Sequence, residues 1–297
     1  MWIITTLLAV TFQTFRNAFS KKLNKTLGGE AVNLSRFLYG LPFVVIFYFL
    51  AKYFLGGITI TSPKFFLFAF LFACLQALAN YLFILMFGSK NFAVSVAFQR
   101  TDTIFTAILA LFLLKESLSL TAWNGITISS LGLIFASLSK TQIKWRNILN
   151  YFFSKGVLYG IASGFCFGVA GICLKFGMNF AQAESTFIKS CFFLMTILIM
   201  QVIILVPISI FKNKKDLINI LTKPKLPLLI GFFSAFSSSF WLFSFIITKL
   251  AYVKTLGQVE FIFSIFISTL VFKEKIYKNE YIGMALILIG CLMLIIF

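Results

Sequence analysis

Ten apolar stretches, each about twenty residues long, alternate with short polar connections along the chain. They fall at roughly 2–20, 31–51, 65–87, 92–114, 121–138, 156–177, 185–211, 226–248, 252–272 and 280–297. A helix needs about 20 apolar residues to cross a hydrocarbon core about 30 Å thick. The pattern therefore predicts an all-α membrane protein with ten transmembrane helices. The connections at 139–155 and 212–225 are the longest, and neither has the length of a soluble catalytic domain. Whatever chemistry the chain performs is expected inside its helices.

The pattern occurs twice. Asp102 and Glu260 are 158 positions apart, and the same shift lays Lys115-Glu116 on Lys273-Glu274, Gly125 on Gly283 and Gly132 on Gly290. Upstream it lays Gln76 on Ser234, Asn80 on Ser238 and Ala93 on Ala251. A register that holds without a gap from about 76 to 138 predicts two related five-helix halves, residues 1–138 and 156–297, joined by a basic linker at 139–155. With an odd number of helices in each half, the second copy enters from the opposite side. Such inverted 5+5 repeats bind substrate near the midplane between their halves. The match of Glu30 with Glu184 is looser, and aligning the nearby Arg36 with Lys189 needs a gap.

Several stretches carry polar residues at helical spacing. The first has Gln13, Arg16, Asn17 and Ser20; the third has Gln76 and Asn80; the fourth has Gln99, Asp102, Thr103 and Thr106. The eighth has Ser234, Ser237, Ser238 and Trp241, and the ninth Gly257, Glu260, Ser264 and Ser268. Lipid cannot satisfy such groups, so these stripes turn inward, and the five helices are the predicted cavity walls. Intramembrane acids mark pathways or relays. Asp102 and Glu260 are expected to face each other across a water-accessible hollow, the alternative being an interhelical ion pair with Arg100 or Arg36. Arg100 lies about 200° around the helix from Asp102 and either packs into a neighbouring helix or reaches the cavity from the side. Arg16 and Arg36 are expected to snorkel to one membrane surface. If Arg16, Arg36, Arg100 and Lys189 point inward instead, bases outnumber acids and an anionic or zwitterionic substrate, such as an amino acid, is favoured. Trp241 and Tyr81 could stack on a substrate or simply pack.

Composition narrows the classes. Mean hydropathy is +1.00, with 60% hydrophobic and 11% charged residues, which no single soluble domain of 297 residues would tolerate. A formal net charge of +18 invites a nucleic-acid reading, but most of the lysines sit in short loops, where bilayer surface and orientation account for them. No nucleic-acid partner is expected; the partners are the lipid bilayer and a small-molecule substrate. There is no His, and the five cysteines lie in apolar stretches, so neither a metal, a cofactor nor a disulfide framework is expected. The 41 phenylalanines are too many to mark a binding box singly. The N-terminal stretch lacks a basic leader and a cleavage site, and is read as a retained helix. The glycine pairs predict close helix contacts; a homodimer through the fifth and tenth helices would be one use of them.

The early acidic residue of the fourth and ninth helices, the Lys115-Glu116 and Lys273-Glu274 pairs and the glycines that follow resemble the EamA branch of the drug/metabolite transporter superfamily. The stretches FQTFRNAFSKKL (12–23), RFLYGLPF (36–43) and GQVEF (257–261) look like a bacterial subgroup of that branch; the last adds Gln258, next to the acidic position, to the candidate site. Many relatives carry a proline directly after the acid, where this chain has Thr103 and Phe261, so proline cannot break the helices there. The resemblance implies a secondary transporter of the bacterial inner membrane, moving a small polar metabolite by alternating access, and not an enzyme. A membrane-embedded enzyme using the acidic pair, or a non-transporting structural protein, are the other readings the residues leave open.

Two arguments on orientation disagree. One set of loops holds Lys21, Lys22, Lys25, Lys90, Lys140, Lys144, Arg146, Lys155, Lys212, Lys214, Lys215, Lys223, Lys225, Lys273, Lys275 and Lys278; the other holds Lys52, Lys64, Lys115, Lys175, Lys249 and Lys254. The positive-inside rule makes the first set cytoplasmic and puts both termini outside, whereas the resemblance implies cytoplasmic termini.

Overall fold

The computed structural model describes residues 1–87, 92–139, 154–273 and 278–296, and they are almost entirely helical. The linker at 140–153 and the expectations attached to Lys90, Lys140, Lys144, Arg146, Glu274 and Lys275 lie outside them. Helices occupy all ten predicted stretches. They are α1 (Trp2–Leu23), α2 (Gly29–Leu38) with α3 (Leu41–Leu55), α4 (Pro63–Met86), α5 (Phe92–Gln99) with α6 (Asp102–Leu113), and α7 (Leu120–Ser139) in the first half. The second half has α8 (Lys155–Met178), α9 (Thr186–Thr222), α10 (Lys225–Ile247), α11 (Leu250–Leu256) with α12 (Glu260–Leu270), and α13 (Lys278–Ile296). Among the described residues, eight helical spans are long and apolar enough to cross a membrane, and Leu120–Ala136 is a shorter apolar helix. The first helix, with its polar stripe, falls outside the eight. Large apolar side chains such as Phe54, Phe112, Phe211 and Leu270 cover the outer surface, as a lipid-facing wall requires.

The structure departs from the predicted pattern in three places. The fold is not purely α, because β1 (Ile58–Thr61) pairs antiparallel with β2 (Ala181–Ala183). The Ile-Thr-Ile-Thr sequence of β1 is β-branched throughout, which suits a strand. The polar connection at 212–225 is mostly helix: α9 continues to Thr222 through a kink at Asn213, whose backbone angles are non-helical. The fourth and ninth helices also break beside their acids without any proline. Between α5 and α6 the N–H groups of Thr101, Thr103 and Ile104 bond three residues back, to Phe98, Arg100 and Thr101. Gly257–Val259 forms a 3₁₀ turn at the matching place between α11 and α12.

The halves interlock reciprocally. The first helix of each half lies along the third of the other, α1 on α10 and α8 on α4, and the two last helices, α7 and α13, pair with each other. The repeated glycines make that last pairing possible. A Cβ on Gly283 would stand 2.4 Å from Ala136 Cβ, and one on Gly290 would stand 2.5 Å from the Gly125 carbonyl oxygen. These glycine faces are thus filled within the chain.

The connections gather at two ends. At one, β1 meets β2, Lys175 lies 3.6 Å from Glu116, and Lys249 donates to the Ser117 carbonyl at 2.5 Å. At the other, Lys212 and Tyr81 donate to Glu30 at 2.8 and 2.9 Å, and the Gly28 N–H donates to Asp216 at 2.8 Å. The Lys-Glu pairs have a local cause as well. Lys115 and Lys273 hold φ of 54° and 55°, and the Glu116 N–H turns back onto the Ala110 carbonyl at 3.2 Å. A left-handed residue of this kind ends a helix, so the motif stops α6 and places Glu116 against Lys175.

Candidate functional site

The polar stripes meet in one cavity of about 50 Å³ at the interface of the two halves. Gln13 and Arg16 of α1, Arg36 of α2, Gln76 of α4, Gln99 of α5, Arg100 and Asp102 enter from the first half. Ser238 and Trp241 of α10 and Lys254 of α11 enter from the second, with apolar walls from Phe72, Phe167, Leu242 and Phe245. Two glycines bring the broken helices close. A Cβ on Gly164 would stand 2.3 Å from Thr101 Oγ1, and one on Gly257 would stand 2.6 Å from the Trp241 ring, so α8 and Trp241 can press against the two breaks.

Asp102 and Glu260 do not face each other as a pair of acids. Each takes a base from the opposite half. Glu260 is bonded by Arg100, and its oxygens also accept from Gln13 Nε2 at 2.8 Å and Asn17 Nδ2 at 2.7 Å. Asp102 Oδ2 accepts from Lys254 Nζ at 2.5 Å. A buried carboxylate needs an opposite charge and hydrogen bonds to offset lost hydration, and another carboxylate offers neither. Glu260 is fully buried and lies behind the cavity lining, while Asp102 lines it. Trp241 completes the arrangement by donating Nε1–H to Gln13 Oε1 at 2.8 Å and placing its ring 5.3 Å from the Arg100 guanidinium, within the range of a cation–π contact.

Arg16 and Arg36 do not snorkel. They are 2% and 7% exposed and line the cavity. Neutral partners on neighbouring turns and helices hold them there: Asn17 Oδ1 accepts from Arg16 Nε and Nη2 at 3.1 and 2.8 Å, Ser234 accepts from Arg36 at 2.9 Å, and Asn80 accepts from it as well. Asn80 in turn donates to the Gln76 carbonyl at 2.7 Å. Thus Asn17 and Asn80 position the charged side chains. Gln258 donates to Ser130 at 3.3 Å and fastens the ninth helix to α7, away from the cavity lining. Lys189 is half-buried outside the lining, and Tyr81 belongs to the Glu30 contact at one end of the bundle.

Two residues escaped the sequence reading. Lys254 groups with the loop lysines by its closeness to Lys249, although it stands inside the ninth apolar stretch, and that position is the available signal. Gln201, fully buried on α9, donates to Gln76 Oε1 at 2.8 Å; an isolated glutamine within the seventh stretch was its only mark.

Among the described residues, Arg16 Nη1, Gln99 Oε1, Arg100 Nε and Asp102 Oδ1 have no hydrogen-bond partner within the protein. All four belong to side chains that line the cavity, which therefore offers donors and acceptors together. No cluster of His, Cys, Asp and Glu able to hold a metal occurs among the described residues.

A model of the EamA-like transporter family matches the chain over residues 1–138 and 154–296, nearly its whole length. The chain belongs to the EamA-like transporter family. It is a multi-pass membrane protein of that family, with the family pattern in both halves. A solved structure titled "Crystal structure of protein" shares the fold with a TM-score of 0.73 at 10% identity, covering 99% of this chain and 97% of that one. No curated protein matches this EamA-like chain.

Proposed function

We propose that this EamA-like protein is a secondary transporter of a small anionic or zwitterionic metabolite across the bacterial inner membrane. One observation carries the reading. In a chain of a transporter family, the cavity lined by buried charged and amide side chains is built from both halves, and two ion pairs run between them. Ten crossings arranged as inverted halves, residues 1–138 and 156–297, would let the halves rock about this cavity and open it to each side in turn. The reciprocal packing of α1 on α10 and α8 on α4, and the sorting of the connections to two ends, support that arrangement. The outnumbering of acids by Arg16, Arg36, Arg100 and Lys254 supports an anionic group on the substrate.

The test is uptake into proteoliposomes containing the purified protein, using labelled amino acids, nucleosides, polyamines and phosphorylated metabolites. Glu260→Gln removes the charge that Arg100, Gln13 and Asn17 converge on. It is expected to reduce transport of the substrate so found by about tenfold or more, a rate difference of at least ~1.4 kcal/mol, while the protein still inserts and elutes as a single species. Normal uptake by Glu260→Gln would remove this residue from the mechanism, and conversion of the substrate in detergent would return the enzyme reading.

A further inference from the structure

The transport reading leaves open which charge the substrate carries, and the cavity's own charge count addresses that point. Arg100 with Glu260 and Lys254 with Asp102 each join one basic and one acidic group and are neutral as pairs. Arg16 and Arg36 line the same cavity. Among the described residues neither forms an ion pair; their hydrogen-bond partners are Asn17 for the one and Ser234 and Asn80 for the other, all neutral, and Glu260, the acid whose field reaches Arg16, is already paired with Arg100. Arginine keeps its proton inside proteins, so two full positive charges stand beside a pocket of about 50 Å³ with apolar walls. An isolated buried ion is unfavourable until an opposite charge joins it. Arg16 Nη1 in addition has a donor with no acceptor in the protein.

We propose that Arg16 and Arg36 together form the subsite for a dianionic head on the substrate, a phosphoryl group or a pair of carboxylates, whose binding makes the cavity electrically neutral. A guanidinium fork matches either oxyanion. A zwitterion brings no net charge and leaves the surplus standing; a cation enlarges it. The proposal rests on the transport reading for its biological meaning, but binding needs neither vesicle nor gradient, so failure of one is a separate result from failure of the other.

The experiment measures thermal unfolding of the full chain in detergent at pH 8 with millimolar succinate, inorganic phosphate, alanine or putrescine. A ligand that binds the native state raises its melting temperature in proportion to the logarithm of its concentration. Succinate or phosphate is expected to raise the melting temperature of the wild type, and the better of the two identifies the head as dicarboxylate or phosphoryl. Alanine and putrescine are expected to leave it unchanged. Arg16→Gln with Arg36→Gln should abolish the shift, whereas Arg16→Lys with Arg36→Lys should keep part of it because the charge remains; Arg36→Gln alone serves if the double variant does not fold. The proposal is overturned if neither dianion shifts the wild type, if alanine shifts it as much, or if the dianion shift survives the glutamine substitutions.

Discussion

Lys254, from the second half of the chain, donates to Asp102 of the first half at 2.5 Å, and both side chains are buried. Arg100 and Glu260 form the opposite exchange. Each half thereby supplies the counter-charge of the other, which makes the two ion pairs part of the joint between the halves as well as of the cavity wall.

Removing one member of such a pair leaves a charge without its partner. Lys254→Met is expected to destabilise the protein by about 3–5 kcal/mol, and Asp102→Asn by a smaller amount because the asparagine oxygen can still accept from Lys254. The double variant should recover much of the loss from Lys254→Met. A double-mutant cycle on equilibrium unfolding measures the coupling, and strictly additive effects would show that the pair contributes nothing.

The seam between α7 and α13 depends on absent side chains. Gly283→Val would force a methyl-bearing carbon into Ala136, and overpacking of this kind costs about 1–3 kcal/mol. Gly57→Ala, with its nearest neighbour at 4.0 Å, should change stability by no more than about 0.5 kcal/mol. Comparing the melting temperatures of the two variants separates close packing from a general intolerance of glycine replacement.

At the end of α6, Lys115 holds a left-handed backbone with φ of 54°. That conformation costs an L-residue about 1–2 kcal/mol, and glycine escapes the cost. Lys115→Gly is therefore expected to be neutral or to stabilise by up to about 1 kcal/mol, whereas Lys115→Val should destabilise. Opposite signs in thermal unfolding would support the helix-stop role; equal losses would point to the lysine's charge instead.

Gly28 and Asp216 join the two halves at one end of the bundle through a hydrogen bond of 2.8 Å. If rocking must separate that end, Gly28→Cys with Asp216→Cys, cross-linked by a short thiol reagent, should stop uptake in proteoliposomes. Cleaving the cross-link should restore it. Unchanged uptake by the fully cross-linked protein would mean that this end stays closed throughout the cycle.

Much of the site was visible as pattern. Gln13, Asn17, Gln76, Gln99, Asp102, Ser238, Trp241 and Glu260 lie on stripes whose spacing turns them inward, and the shift of 158 links the two acids. Arg100 with Glu260 is the interhelical ion pair that the sequence leaves open as the alternative to facing acids; the pairing of Lys254 with Asp102 is what periodicity does not supply. Helical geometry sets Arg100 about 200° from Asp102; the tightened turn between α5 and α6 keeps a helical backbone, so the two side chains take different partners and Arg100 reaches Glu260 on another helix. Lys254 stands just inside an apolar stretch, where a lysine reads as a helix-end charge until tertiary contacts bury it against Asp102. Arg16 and Arg36 read as snorkelling residues for the same reason, because their distance from the chain's polar connections says nothing about Asn17, Asn80 and Ser234 waiting beside them. The strand pair leaves little trace in the sequence because β1 and β2 are brief and meet across some 120 residues of chain.

The crossed arrangement of the two ion pairs also bears on how such a protein can be made. Were the duplicated segments produced as separate polypeptides, each would enter the bilayer with an acid and a base whose intended mates were missing, and neither would be a finished object. Joining them in one polypeptide guarantees that the mates are born together in equal number, so that neither buried charge depends on finding a second chain.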